Sequence, residues 1–132
     1  MGEMAVNVKV KRLARRCNPF GQSPWGVQVR RIDVRRAIGE GRFEAKPGSE
    51  NHAARIAYLV KNGWKDAIEV DVGVPVMGYH VHWLVTDGNH RLAAAIFLGM
   101  EPTEVFVAAK LHYARRVLGV DCEERKELSG VA

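Results

Sequence analysis

The sequence predicts an α/β domain of the α+β kind, a small mixed sheet with flanking helices, on three observations. Segments whose apolar residues recur every second position alternate with segments that follow the helical i, i+3, i+4 rule. Glycine, proline and the pairs Asn62-Gly63 and Asp87-Gly88 mark the boundaries between them. A chain of 132 residues, 47% of them apolar, fits one core and not two.

The elements follow in order. Residues 1–26 read as a basic lead-in segment, because CNPFGQSPWG punctuates and does not continue a regular element. Val27 to Val34 alternates apolar and polar side chains, which predicts a first strand. The following stretch, with its glycines at 39, 41 and 48, reads as a loop with a short helical turn. Ser49 is the expected N-cap of a helix carrying Ala53, Ile56, Ala57 and Val60 on one face, ended by Asn62-Gly63. Ala67 to Val72 predicts a second strand, with Ile68, Val70 and Val72 on one side. Gly73, Pro75 and Gly78 form a turn region before a third strand, Tyr79 to Thr86, with Val81, Trp83 and Val85 sharing a side. Asn89 to Leu98 is rich in good helix formers and apolar almost throughout, so it reads as a buried helix ended at Gly99. Thr103 to Ala108 supplies a further strand and Leu111 to Leu118 a last helix. The domain is thus expected over residues 27–118, with a polar tail at 119–132.

The net charge of +5 is uneven: residues 1–42 carry ten Lys or Arg and three acids, the remainder ten and twelve. Lys11, Arg12, Arg15, Arg16, Arg30 and Arg31 are therefore candidate nucleic-acid contacts, since such cations supply the sequence-independent part of that affinity. A solvated basic arm is the plain alternative. No apolar run is long enough for a membrane span and the start lacks the apolar stretch of a signal peptide, so a cytoplasmic protein is expected. Cys17 and Cys122 have no CxxC partner, and reduced thiols are expected.

The chemistry concentrates at Thr86-Asp87-Gly88-Asn89-His90-Arg91, where a strand ends, a glycine turn follows and a helix begins. The first amides of a helix lack internal partners and share the positive end of its dipole, and glycine lets a phosphate approach the backbone. Gly88, Asn89, His90 and Arg91 are the candidate phosphate-binding residues, Arg91 through bidentate bonds. Asp87 and His90 are the candidate catalytic residues, Asp87 as a base or orienter of metal-bound water and His90 as a donor or proton shuttle. A capped turn with no further role accounts for the same residues.

The stretch DGNHRLAAAIFLG resembles the signature of the ParB/sulfiredoxin superfamily, whose members open a helix with GERR in partition proteins, GCHR in sulfiredoxins and DGHHR in free-serine kinases. ARIAYLVKNGWKDAIEV resembles the helix, glycine and strand that precede that signature, with Ala67 where a proline is usual. The two matches span residues 27–110. The resemblance implies a nucleotide, CTP, ATP or ADP, probed together with Mg2+, whose phosphates lie at Gly88 to Arg91. It also implies nucleotide-hydrolysing or phosphotransfer capacity. Sulfiredoxin chemistry is not expected, because Asn89 stands where the nucleophilic cysteine belongs. Partition activity is not expected either, because only a helix and a polar tail follow the last strand. The closest signature is that of the serine kinases, whose glutamate base has Glu40, Glu44 and Glu50 as local candidates.

Two further readings stay open: a DNA-binding or ParB-like nuclease or accessory module using the basic N-terminal third, and a catalytically inactive interaction domain. A homo-oligomer is compatible with all of them. The segment from Phe43 to Glu50 is a candidate lid, with Lys46 reaching phosphates and Glu44 the magnesium ion, and Glu50 beside them. His80 and His82 share one side of a predicted strand and line a cleft more readily than they hold a metal, so no metal ligands are assigned. Trp25, Trp64 and Trp83 read as core or partly buried aromatics, with no pattern that points to base stacking.

Overall fold

The computed structural model describes residues 4–73, 77, 83–107, 111–119 and 123–124. Its class is the expected one, a mixed sheet with flanking helices. Five strands pair in the order β3-β2-β4-β1-β5, where β1 is Met4–Lys9, β2 Ile68–Val70, β3 Val85–Asp87, β4 Pro102–Val107 and β5 Glu123–Glu124. β4 runs parallel to β2, with Ile68 opposite Val105, and antiparallel to β1, with Val6 opposite Val105. β2 and β3 are antiparallel, as are β1 and β5.

The first 26 residues are not a lead-in to this sheet. Val6, Val8 and Val10 alternate with Asn7 and Lys9, and the alternation puts the valines in the core and the polar pair in solvent. β1 therefore lies inside the sheet, between β4 and β5. It runs directly into α1, Val10–Arg16, which buries Val10 and Leu13. Cys17, at the end of α1, is fully buried, and its sulfur accepts a bond of 3.0 Å from the Leu84 amide. Burial pushes its thiol pKa up, which suits a packed and unreactive thiol. A four-residue helix, α2 at Pro19–Gln22, follows, with Asn18 accepting from the Phe20 amide as its cap.

The strand expected at Val27 to Val34 is corrected to a helix, α3, at Arg31–Gly39. Asp33 decides it: its carboxylate accepts from the Arg30 amide at 2.9 Å, closing the first turn from the third helical position. That bond, with the Arg30 guanidinium beside it, holds the Asp33 carboxyl below the usual range. The buried positions are Val34 and Ala37, three apart, while Val27 and Ile32 are largely exposed. The alternation VQVRRIDV thus never meets a sheet.

The helix expected from Ser49 is α4, His52–Asn62. Its cap is Asn51, which accepts from the Ala54 amide, while the Ser49 hydroxyl accepts from the Asn51 amide one step earlier. Ile56 and Ala57 are fully buried, Ala53 and Val60 partly so, and Gly63 at φ +75° ends the helix. Of the expected third strand, Val85–Asp87 is observed as β3, and Leu84 before it is buried beside Val85, so the alternation through Trp83 does not hold. Residues 79–82, His80 and His82 among them, lie outside the described residues, as does Cys122.

The buried helix is α5, Asn89–Phe97, and the last is α6, Leu111–Leu118. α5 packs on α1, α2, α4 and β2, and Leu92, Ala93, Ala94 and Ala95 are all fully buried. Leu92 and Ala95 join the sheet cluster of Val6, Ile68 and Val105, whereas Ala93 and Ala94 join a helical cluster of Val34, Ile56 and Leu59. The near-continuous apolarity of α5 is the consequence of this double burial.

Val34 and Ile32 separate the two conformations of the 31–39 segment. In urea unfolding, Val34→Ala costs about 2 kcal/mol, as for a buried aliphatic side chain, while Ile32→Ala stays within about 0.5 kcal/mol. Equal losses would favour a strand with both on one face.

Candidate functional site

β3 ends at Asp87, and Gly88 turns the chain into α5 at φ +106°, a conformation that L side chains rarely adopt. A Cβ there would stand 3.3 Å from Ile68 Cα and from Arg91 Cζ, tight contacts that add to the backbone's demand for glycine. The Gly88 carbonyl accepts from the Leu92 amide at 2.8 Å, closing the first turn. As the cap of α5, Gly88 has no side chain to offer the amides that follow, and the first turn holds no acid. The first amides of α5 therefore have no side-chain acceptor from the cap or the first turn.

Arg91 is a brace across this corner. Nη1 donates to the carbonyls of Asp66, at 3.2 Å, and Ala67, at 2.5 Å, and Nη2 donates to Asp87 Oδ2 at 2.9 Å. One planar fork so ties the lead-in to β2, the end of β3 and the start of α5. The arginine side chain is 16% exposed and its Asp87 partner 62%, which leaves the carboxylate accessible from solvent.

His90 meets a residue that sequence reasoning did not single out. Its Nε2 lies 2.9 Å from Nδ1 of His52, the first residue of α4, so one ring donates the shared proton and the other accepts it. The ring centroids are 5.2 Å apart with planes only 21° from parallel, the geometry of two imidazoles meeting edge to edge. Trp25 lies flat against both, its centroid 4.8 Å from each. The starts of α4 and α5 are thereby held together beneath an indole. Burial, then the positive charges of His52, Arg55 and Arg91, push the His90 pKa down to about 4. Burial also lowers that of His52, against an opposing pull from Glu50. Both shifts favour the neutral form of each ring.

A cleft of about 260 Å³ opens here, lined by Gly88, Asn89, His90, Arg91 and Asp87, with Arg55 and Trp25 on its walls. Asn89 is held by the Trp83 indole N–H, which donates to its Oδ1 at 3.0 Å. The 43–50 loop reaches the cleft through Pro47 and Gly48. Arg55 fastens that loop by donating to the carbonyls of Ala45, at 2.8 Å, and Glu44, at 3.4 Å. Glu44 accepts from the Lys46 amide of its own loop at 3.1 Å, and Lys46 and Glu50 are exposed. The structure brings Asp87 to Arg91 together as the sequence motif implies, and adds His52, Arg55 and Trp25. The signal for the first two was their spacing: three apart at the start of α4, they share a face. Trp25 carried no such signal, since only the tertiary fold lays its segment over the histidines.

The candidate nucleic-acid contacts are divided. Lys11, Arg12, Arg15 and Arg16 lie on α1, Arg31 begins α3, and Arg30 forms a 3.4 Å ion pair with Asp33. Among the described residues no group of three or more His, Cys, Asp or Glu is placed to hold a metal, and no helix is long and apolar enough to cross a membrane. In comparison with known proteins, no family model matches the chain, and neither does any curated protein or solved structure.

The histidine pair makes stability depend on pH. An unfolded histidine takes up its proton near 6.5, the folded His90 only near 4. Its contribution is thus intact above pH 6.5 and lost as pH falls toward 4, about 2 kcal/mol in all after allowance for the ring's partial exposure. Denaturant titrations at a series of pH values read this slope, which is shallower in His90→Gln.

Proposed function

We propose that the cleft at the start of α5 binds the phosphates of a nucleotide. The observation that carries this reading is the glycine cap: Gly88 leaves the first amides of α5 without a side-chain partner at the mouth of a cleft walled by Arg55 and Arg91. The positive charges of Arg55 and Arg91 beside His90, which add to burial in lowering its pKa, support it, because the same charges attract a phosphate. Asp87, an accessible carboxylate beside that anion, suits Mg2+ shared between protein and phosphate, as phosphoryl-transfer sites require. The resemblance of DGNHR to the ParB/sulfiredoxin signature points to the same residues.

On this reading Asp87 is a metal-side acid and His90 a neutral proton acceptor held in one orientation by His52, suited to transfer of a phosphoryl group to water or to an acceptor hydroxyl. Arg91 acts chiefly by shaping the corner, and Arg55 is the cation with more freedom to meet the ligand.

Thermal-shift measurements with CTP, ATP and ADP, each with Mg2+, test the proposal. A nucleotide at about 100 times its Kd raises the melting temperature by roughly 8 °C in the wild-type chain. The shift, measured against each variant's own melting point, is lost in Arg91→Ala and reduced in Arg55→Gln. Absence of a shift with every nucleotide, or equal shifts in wild type and Arg91→Ala, contradicts it.

A further inference from the structure

A second anionic ligand is indicated by the other end of the molecule. α1 is amphipathic: at about 100° per residue, Lys11, Arg12, Arg15 and Arg16 fall within an arc of about 140°, and Val10, Leu13 and Cys17 fall opposite, in the core. The cationic face borders two clefts. The first, of about 410 Å³, is lined by Lys11, Arg15, Asn18 and Arg31, with Glu101 and Met100 at α5's far end. The second, of about 210 Å³, is lined by Arg12, Arg15, Arg16 and, from α6, Arg116. Arg15 lines both, so the two clefts form one strip crossing α3, α1 and α6.

The strip is built as well as charged. The Arg31 guanidinium stands 5.7 Å from the centre of the Phe20 ring, and Arg16 Nη1 donates to the Val117 carbonyl at 3.5 Å, tying α1 to α6. Lys11, Arg15, Arg31 and Arg116 are exposed. Among the described residues, no acid lines the second cleft. Small ligands take one cleft; a row of cations spanning two matches a polymer whose negative charges repeat.

We infer that this strip is an interface for the phosphodiester backbone of nucleic acid, independent of sequence and separate from the cleft at Gly88. It differs from a basic arm in that its cations ride on helices fixed to the core. It also differs in membership, since α6 contributes Arg116, while Arg30 is engaged with Asp33.

Fluorescence anisotropy with labelled duplex DNA and with single-stranded oligo-dT, over a range of salt concentrations, tests the inference on the full chain. Binding is expected with a slope of log K against log salt that falls by about 1 for each cation removed, in Arg15→Gln, Arg31→Gln and Arg116→Gln. Arg15 and Arg116 are exposed, so their variants keep the wild-type melting temperature, while Arg31→Gln, which gives up the contact with Phe20, lowers it by a few degrees at most. Arg42→Gln, whose guanidinium pairs with Glu40 and lines neither cleft, keeps the wild-type slope. Binding of either strand form sustains the inference and names the form recognised. It is overturned by no binding to either, by an unchanged slope in Arg15→Gln and Arg116→Gln, or by inorganic tripolyphosphate competing as tightly as the polymer. Arg55→Gln leaves DNA binding unaltered, so this result does not depend on the nucleotide reading.

Discussion

The double burial of α5 is the constraint on which the rest of the structure depends. Four consecutive residues, Leu92 to Ala95, are removed from water, which a helix achieves only when one side meets the sheet and the other meets a second layer of helices. Alanine at three of these positions lets both layers approach closely. The start of α5 is consequently fixed from two sides, and the corner before it has little freedom. Gly88 at φ +106°, packed on Ile68, and the Arg91 fork joining β2, β3 and α5 are the local expressions of that fixation.

On the proposed reading a helix start held this firmly suits an anion, because the cost of orienting its amides is met in folding and not on binding. The second helix start, at α4, arrives through the His52–His90 hydrogen bond, and Trp25 seals the pair. Two helix dipoles and two arginines then act on one small volume. Burial first, and then the positive charges around it, lower the pKa of His90, and on the proposed reading anion binding and protonation of His90 are coupled with equal effect in each direction.

Much of this was legible in the sequence where local pattern and tertiary role coincide. DGNHR, a glycine turn opening an apolar run, predicted the position and the burial of α5, and the alternation through Ile68, Val70 and Val72 predicted β2 with its inward face. Two segments misled for physical reasons. VQVRRIDV has strand-like alternation, yet the Asp33 carboxylate on the Arg30 amide starts a helix, and Val34 and Ala37, with Val29 before the helix, find a core while Val27 and Ile32 stay exposed. AVNVKV also alternates, but the cations that follow it suggested a solvated arm, whereas the valines fill the centre of the sheet and the cations face out from α1. Charge count was blind to that division. His52 and Trp25 were hidden for another reason: their roles come from contacts across 27 to 65 positions, which no local period encodes.

Backbone amide NMR during titration with ADP and Mg2+ reads directly whether the amides opening α5 receive phosphate. If they do, the largest shifts fall at Gly88, Asn89, His90 and Arg91, with smaller ones at Arg55 and on the Trp25 indole, all saturating together. Saturable shifts confined to other regions, with residues 88–91 unmoved, would contradict phosphate binding at these amides.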